Sequence, residues 1–304
     1  MKTMKFVLGS FLFVALFASA SKAQVQRTFV SGLGSDSNPC SRTAPCRTIG
    51  QALIGTSAGG EVIVLDSAGY GPVTISQAVS ITAPPGVYAG ISVFSGAGVT
   101  INAGGSDRVI LRGLTLNNQG GTGSGIVFNT GGTLHIENCV VNGFTMGGTG
   151  LSFTGPGTLE VKDSIVRNNS NGISVTGTAV AAIDEIRLEG NIVGLVAQAG
   201  SRVTIRNSIA TDASDAGFRA LSQTAAAVEL NIESCVVSNN GSGVTAQSNS
   251  TGIATVRISN STVTDNNTGL FNVAAPALIL SRGNNTVEGN TTNTTGTIGS
   301  YTAR

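Results

Sequence analysis

A chain of 304 residues with only 11% charged side chains and no tryptophan is not built to grip nucleic acid, a task that rests on clustered positive charge. Without Lys2, Lys5 and Lys22 of the leader described next, 14 basic side chains face 16 acidic ones. Glycine, at 42 residues, is about double its usual ~7% share with no collagen-type period, and β-branched apolar residues run throughout, which excludes a disordered chain.

Lys2 and Lys5 precede an apolar run of 12 residues, Phe6 to Phe17, and Ser21-Lys22-Ala23 supplies small residues at a cleavage point. This pattern predicts a signal peptide over 1–23 and a secreted or periplasmic protein; the run falls short of the roughly 20 residues of a permanent span. No later segment is a better membrane candidate, so no transmembrane anchor is expected in the mature chain.

Residues 24–60 are expected to form an N-terminal cap. Within it Cys40 and Cys46 enclose five residues, a loop that a disulfide closes in an oxidising compartment. Free thiols are the alternative; a metal site lacks a nearby histidine or second cysteine pair. Ile49, Ala52 and Leu53 stand at helical spacing and predict a short capping helix before the strand Val62-Ile63-Val64-Leu65. Val73-Thr74-Ile75, Val79-Ser80-Ile81 and Ile91-Ser92-Val93 read as strands of the first coils.

From about residue 108 the sequence repeats. A glycine followed by a short strand recurs at Gly125, Gly150, Gly172, Gly194, Gly217, Gly243 and Gly269, with spacings of 22 to 26 residues. Each unit also carries an earlier apolar-polar-apolar triplet, as in Val109-Ile110-Leu111, Leu134-His135-Ile136, Leu159-Glu160-Val161, Ile186-Arg187-Leu188 and Val203-Thr204-Ile205. That alternation is the period of a strand with one buried face. Asn-, Gly- and Ser-rich corners between the strands are turn chemistry. Glycine everywhere and no sustained 3.6-residue period exclude a helical solenoid. The reading that remains is an all-β, single-domain, single-stranded right-handed parallel β-helix (solenoid) with an N-terminal capping helix. Its coils span 61–283, and residues 284–304 form an Asn/Thr/Gly-rich C-terminal tail with no visible cap.

The stretch from Asp36-Ser37-Asn38-Pro39-Cys40 to Cys46-Arg47-Thr48-Ile49, with Gly59-Gly60-Glu61-Val62-Ile63-Val64-Leu65-Asp66 and Gly69-Tyr70-Gly71-Pro72-Val73-Thr74-Ile75, resembles the opening of secreted bacterial right-handed parallel β-helix repeat proteins of the pectin-lyase-like superfamily. The resemblance implies this fold over essentially the whole mature chain. For function it implies polysaccharide lyases and hydrolases, but also adhesins and members without known activity. A pectate-lyase-type site would use Ca²⁺ held by acidic residues and an arginine base.

Asp212 and Asp215, with Arg219 on the next strand, are the nearest match to such a site; Ca²⁺ enters only under that alternative, and no cofactor is otherwise expected. The bland reading, preferred here, is that both aspartates replace the asparagines of neighbouring corners. The Asp-Asp and Gly-His-Gly motifs that polygalacturonase-type members carry do not occur. His135, the only histidine, falls in a column expected to read Ile110, His135, Glu160, Arg187, beside a second column Arg112, Glu137, Lys162, Glu189, Arg206, Glu233. Alternating charge rung by rung favours correct register, so His135 reads as part of a charge ladder rather than as a general base. Cys139 and Cys235 lie four coils apart, about 19 Å at 4.8 Å per coil, too far for a bridge. The outward residues after the anchor glycines, Val127, Ser152, Ser174, Val196, Thr245 and Phe271, form a strip that reads first as a small-residue wall and second as a contact for an extended polymer. A non-catalytic solenoid contacting polysaccharide or the cell envelope is therefore preferred over a divergent lyase or hydrolase.

Overall fold

The computed structural model describes residues 24–302; the signal peptide expected over 1–23 lies outside them. The chain winds as a right-handed parallel solenoid with three flat sheets. Sheet A has 12 strands from Val25–Val30 to Ile298–Ser300. Sheet B, from Ala68–Gly69 to Thr286–Val287, and sheet C, from Val73–Ile75 to Thr292–Thr295, have 10 each. The sheet-B strands are mostly three residues long, such as Val140–Asn142 and Ile165–Arg167, and form a third side that the two-strand repeat did not resolve.

Alternation drives the winding. In Arg202–Arg206 the second and fourth residues are buried and the others exposed, so each strand turns one face inward. Equivalent residues then stack: Val109, Leu134, Leu159, Ala181, Val203, Leu230, Val256 and Ile279 follow one another in register. The anchor-glycine column Ile126, Leu151, Ile173, Leu195, Phe218, Val244 and Leu270 does the same on sheet C. Phe128 stacks on Phe153 with ring centroids 4.0 Å apart.

One coil departs from expectation. Its sheet-A strand is Ala179–Asp184, and Arg187–Glu189 belongs to sheet B. Here Ala179, Ala181 and Ile183 point inward while Val180 and Ala182 point outward, so the polar-apolar contrast that marks other strands is erased. Ile186-Arg187-Leu188 keeps that contrast and mimics the earlier strand.

Corners are fixed by left-handed backbone. Between sheets A and B, Asn138, Asp163, Glu185, Asn207, Ser234 and Asn260 all have φ between 49° and 53°. Between sheets B and C, the same conformation recurs at Asn168, Asp212, Asn239 and Asp265, where the polar side chain offsets part of the steric cost. Inside the second corner lies a buried amide ladder. Asn266 Oδ1 accepts from the backbone N–H of Asn240 at 2.9 Å, and Asn290 Oδ1 accepts from that of Asn266 at 3.0 Å. These side chains satisfy backbone groups that a solenoid corner would otherwise bury unpaired.

The N-terminal end is closed by a helix, Ile49–Gly55, whose Ile49, Ala52 and Leu53 are buried against the strands Val25–Val30, Thr56–Val64 and Val73–Ile75. Asp36 accepts hydrogen bonds from the backbone of Arg47 and Thr48, both at 2.9 Å, and Thr48 caps the helix by accepting from Gln51 N–H at 3.2 Å. Cys40 and Cys46 are joined in a disulfide. Two boundaries differ from the sequence reading. Sheet A begins with Val25–Val30, inside the expected cap, and Thr56–Val64 starts ahead of residue 61. Of residues 284–304, expected as a tail, the described part through 302 lays down a further coil through Thr286–Val287, Thr292–Thr295 and Ile298–Ser300. Its inward positions include Thr294, in register with Leu270, so a polar residue stands where apolar periodicity would have announced a strand.

Candidate functional site

At the corner between sheets B and C, Asp215 pairs with Arg219 while Asp212 bonds to Thr211 and Asn239, so each acid has a structural partner. Asp212 occupies the left-handed position shared with Asn168, Asn239 and Asp265. Its carboxylate accepts a hydrogen bond from Asn239 Nδ2 one coil on, and another from Thr211 Oγ1 at 3.2 Å. Asp215 pairs with the guanidinium of Arg219, whose side chain is only 17% exposed. Arg219 continues the outward strip of sheet C, standing in register between Val196 and Thr245, both buried. The strip is therefore not flat at this coil. Arg219 Nε and Thr245 Oγ1 are buried there without a hydrogen-bond partner. Among the described residues no three His, Cys, Asp or Glu side chains converge as a metal site.

His135 lies in sheet A with Nδ1 3.1 Å from Glu160 and Nε2 3.5 Å from Glu137. The columns around it differ from expectation by one residue each: Glu160 is followed by Ala182, not Arg187, and Lys162 by Asp184, not Glu189. The cause is the camouflaged strand Ala179–Asp184. With Asp184 in place the second column runs Arg112, Glu137, Lys162, Asp184, Arg206, Glu233 and alternates in sign without a break. Arg112 Nε reaches Glu137 at 2.8 Å, and this bond leads in holding the Glu137 carboxyl below its ordinary pKa. Burial opposes the Asp184 carboxylate, but hydrogen bonds from Asn207 and Arg206 outweigh it and lower the pKa. Beside the ladder Ala182 and Thr204 leave a shallow groove of about 400 Å³, walled by Glu160, Lys162, Asp184 and Arg206.

Cys139 and Cys235 are buried and unpaired. Burial pushes each thiol up to about 11, so neither is a thiolate at neutral pH. Their backbone N–H groups donate to Ser164 and Ser261, both at 3.1 Å, which places them in a serine-rich structural column.

The motif residues of the opening segment serve the cap. Asp66 accepts from Gly32 N–H at 2.7 Å, Ser31 Oγ at 2.6 Å and Tyr70 Oη at 2.5 Å. The Gly32 bond leads in lowering the Asp66 pKa, and burial, followed by the bond to Asp66, raises that of the Tyr70 hydroxyl. Sequence reasoning missed a different feature. Tyr88 and Phe94, exposed aromatic rings at the first full coil, flank the sheet-B strand Ala89–Val93. Their placement in an otherwise alternating segment carried no sign of exposure, because aromatics in strands are more often core.

Residues 124–292 match the family model described as "Right handed beta helix region". No curated protein sequence matches the chain. Among solved structures, one of XylC in complex with xylose has a TM-score of 0.62 at 10% identity, covering 85% of this chain and 69% of the other. The crystal structure of pectate lyase Pel9A has a TM-score of 0.51 at 16% identity, covering 90% and 79%. At such identities the likeness is one of fold, and it is the pectin-lyase-like fold. Three parallel sheets, stacked cores and left-handed corners, together with a match over more than half its length, show that the chain belongs to the right-handed β-helix family.

Proposed function

We propose that the protein is an exported, non-catalytic solenoid whose long rigid side contacts polysaccharide. The observation that carries this reading is the employment of the candidate acids in the scaffold: Asp212 turns a corner and Asp215 pairs with Arg219. The coils stack into three long parallel sheets, whose outer faces suit an extended polymer. The disulfide supports an oxidising compartment, and among the described residues no helix is long and apolar enough to cross a membrane. The sugar complex formed by XylC, a solenoid of similar fold, and the pectate lyase match support carbohydrate as the ligand class.

A second reading, a divergent polysaccharide lyase or hydrolase centred on Asp212, Asp215 and Arg219, is favoured by the unpartnered Arg219 Nε and Thr245 Oγ1, since orphan buried polar atoms ask for an explanation. One experiment separates the two. Acidic and neutral polysaccharides are scored for binding and for unsaturated product, with and without Ca²⁺. Binding without product is expected. Calcium-dependent product that disappears in Asp215→Ala would replace the first reading with the second.

A further inference from the structure

We infer that the outer face of sheet B at its N-terminal end is a binding platform for a neutral, hydroxyl-rich glycan chain, an inference that rests on the polysaccharide-contacting reading and gives it a place and a ligand class. Tyr88 is 49% exposed and Phe94 71%, whereas Tyr70, Phe128, Phe144, Phe153 and Phe218 are in the core and Phe29, Phe271 and Tyr301 are half-buried. They flank one strand, Ala89–Val93, with Gly90 and Ser92 between them. The six residue steps from Tyr88 to Phe94 span at most about 20 Å between Cα atoms.

Tyr88 is held in place rather than loose. Its ring lies across Gly90: a Cβ on that glycine would come within 2.6 Å of Tyr88 Cε1, so only glycine admits the ring there. Asn117 Nδ2 donates to Tyr88 Oη at 3.1 Å, and the Tyr88 backbone N–H donates to Ser67 Oγ at 2.9 Å. Asn142 Nδ2 in turn donates to Asn117 Oδ1 at 3.2 Å, extending a row of amides across the next coils. Between and beside the rings, the outward side chains of the strands 89–93, 114–118 and 140–142 include no Asp, Glu, Lys or Arg.

This chemistry selects the ligand. Aromatic faces receive the C–H faces of sugar rings, and fixed amides and hydroxyls answer sugar hydroxyls; an amphipathic, oriented platform of this kind is how a few polar groups give specificity. A uronate chain would bring carboxylates to strands that carry no cation of their own, Arg47 on the Gly69 carbonyl and Arg167 beside Asn142 standing one strand away on either side. Tied to Gly90 and Asn117 of the stacked strands, the Tyr88 ring carries less of the ordering cost of a free loop side chain.

Calorimetric titration with xylan, β-glucan and polygalacturonate tests the platform. The full chain is expected to bind at least one of the two neutral polymers, with affinity unchanged by added salt. Tyr88→Ala and Phe94→Ala should each weaken that binding roughly tenfold. Tyr88→Phe, which keeps the ring, should retain most of it and guards against a Tyr88→Ala variant that unfolds. Phe271→Ala on sheet C should bind as the parent does. Neutral-glycan binding untouched by Tyr88→Ala and Phe94→Ala, or lost only in Phe271→Ala, would overturn the platform while leaving the broader reading standing. Binding of polygalacturonate alone would overturn the neutral-ligand assignment. No binding of any polymer would bring down the proposed function itself.

Discussion

The two ends of the solenoid close in opposite ways. At the N-terminal end the apolar interior is covered: a helix sits on the first strands, a disulfide shuts the adjoining loop, and Asp36 and Asp66 gather six backbone and hydroxyl donors between the cap and the first coil. At the C-terminal end the interior is not covered but diluted. The column that holds Val244 and Leu270 ends in Thr294, and the buried amide ladder ends when Asn293 Oδ1 accepts from Asn290 N–H at 3.3 Å while Asn293 Nδ2 donates to Glu288 at 2.9 Å. A solenoid must protect its terminal coils from edge pairing. Among the described residues one end does so with added structure and the other with a change of side-chain chemistry, so the first coils should depend on the cap and the last on the amide ladder through Asn290.

Perturbations should expose that asymmetry in graded steps. Replacing both Cys40 and Cys46 by alanine should be the most damaging, lowering stability by about 2–4 kcal/mol in denaturant unfolding; a loss below 1 kcal/mol would mean the helix alone closes that end. Asp66→Ala should cost about 1–2 kcal/mol, because Gly32, Ser31 and Tyr70 lose a charged acceptor. The same carboxylate makes the cap acid-sensitive. Its folded pKa is depressed, so its stabilisation is complete above its unfolded pKa near ~4 and is lost as pH falls through the lower folded value. Hydrogen exchange at pH 3 against pH 6 should therefore show amides of the first coil opening before those of the middle coils, and Asp66→Ala should remove the difference. Asn290→Ala should cost about 1 kcal/mol and loosen only the last two coils, since Asn266 loses an acceptor for its backbone N–H. The smallest change is Thr294→Val, expected to be neutral or to stabilise by a few tenths of a kcal/mol in thermal unfolding, with solubility falling because the end becomes apolar.

Much of this molecule was legible because the repeat is redundant. Seven anchor glycines, each followed by an inward apolar residue, announce the same coil, and the corner asparagines announce their left-handed backbone through turn chemistry. What stayed hidden has local causes. Ala179–Asp184 turns alanines inward and Val180 outward, so the strand does not look amphipathic, and the error carries Asp184 out of the charge column. The last coil reads as a tail because Thr294 stands in register with Leu270 where an aliphatic residue would mark a strand. The short sheet-B strands contribute too few residues for periodicity to show. At the corner site the turn role read for Asp212 rests on the company of Asn239 and Asp265, which share its left-handed backbone. The platform at Tyr88 was invisible because its decisive feature is the bare surface of Gly90 beneath the ring, which no spacing rule marks.

The unbroken alternation from Arg112 through Glu137, Lys162, Asp184 and Arg206 to Glu233 has a consequence for how such a molecule can change length. Removing or duplicating a single turn within that span sets two like charges face to face, whereas removing or duplicating two restores opposite neighbours at the joint. The ladder thus imposes a parity on viable insertions and deletions: here, lengthening or shortening in pairs of turns carries no electrostatic penalty at the seam, and an odd change needs a compensating substitution.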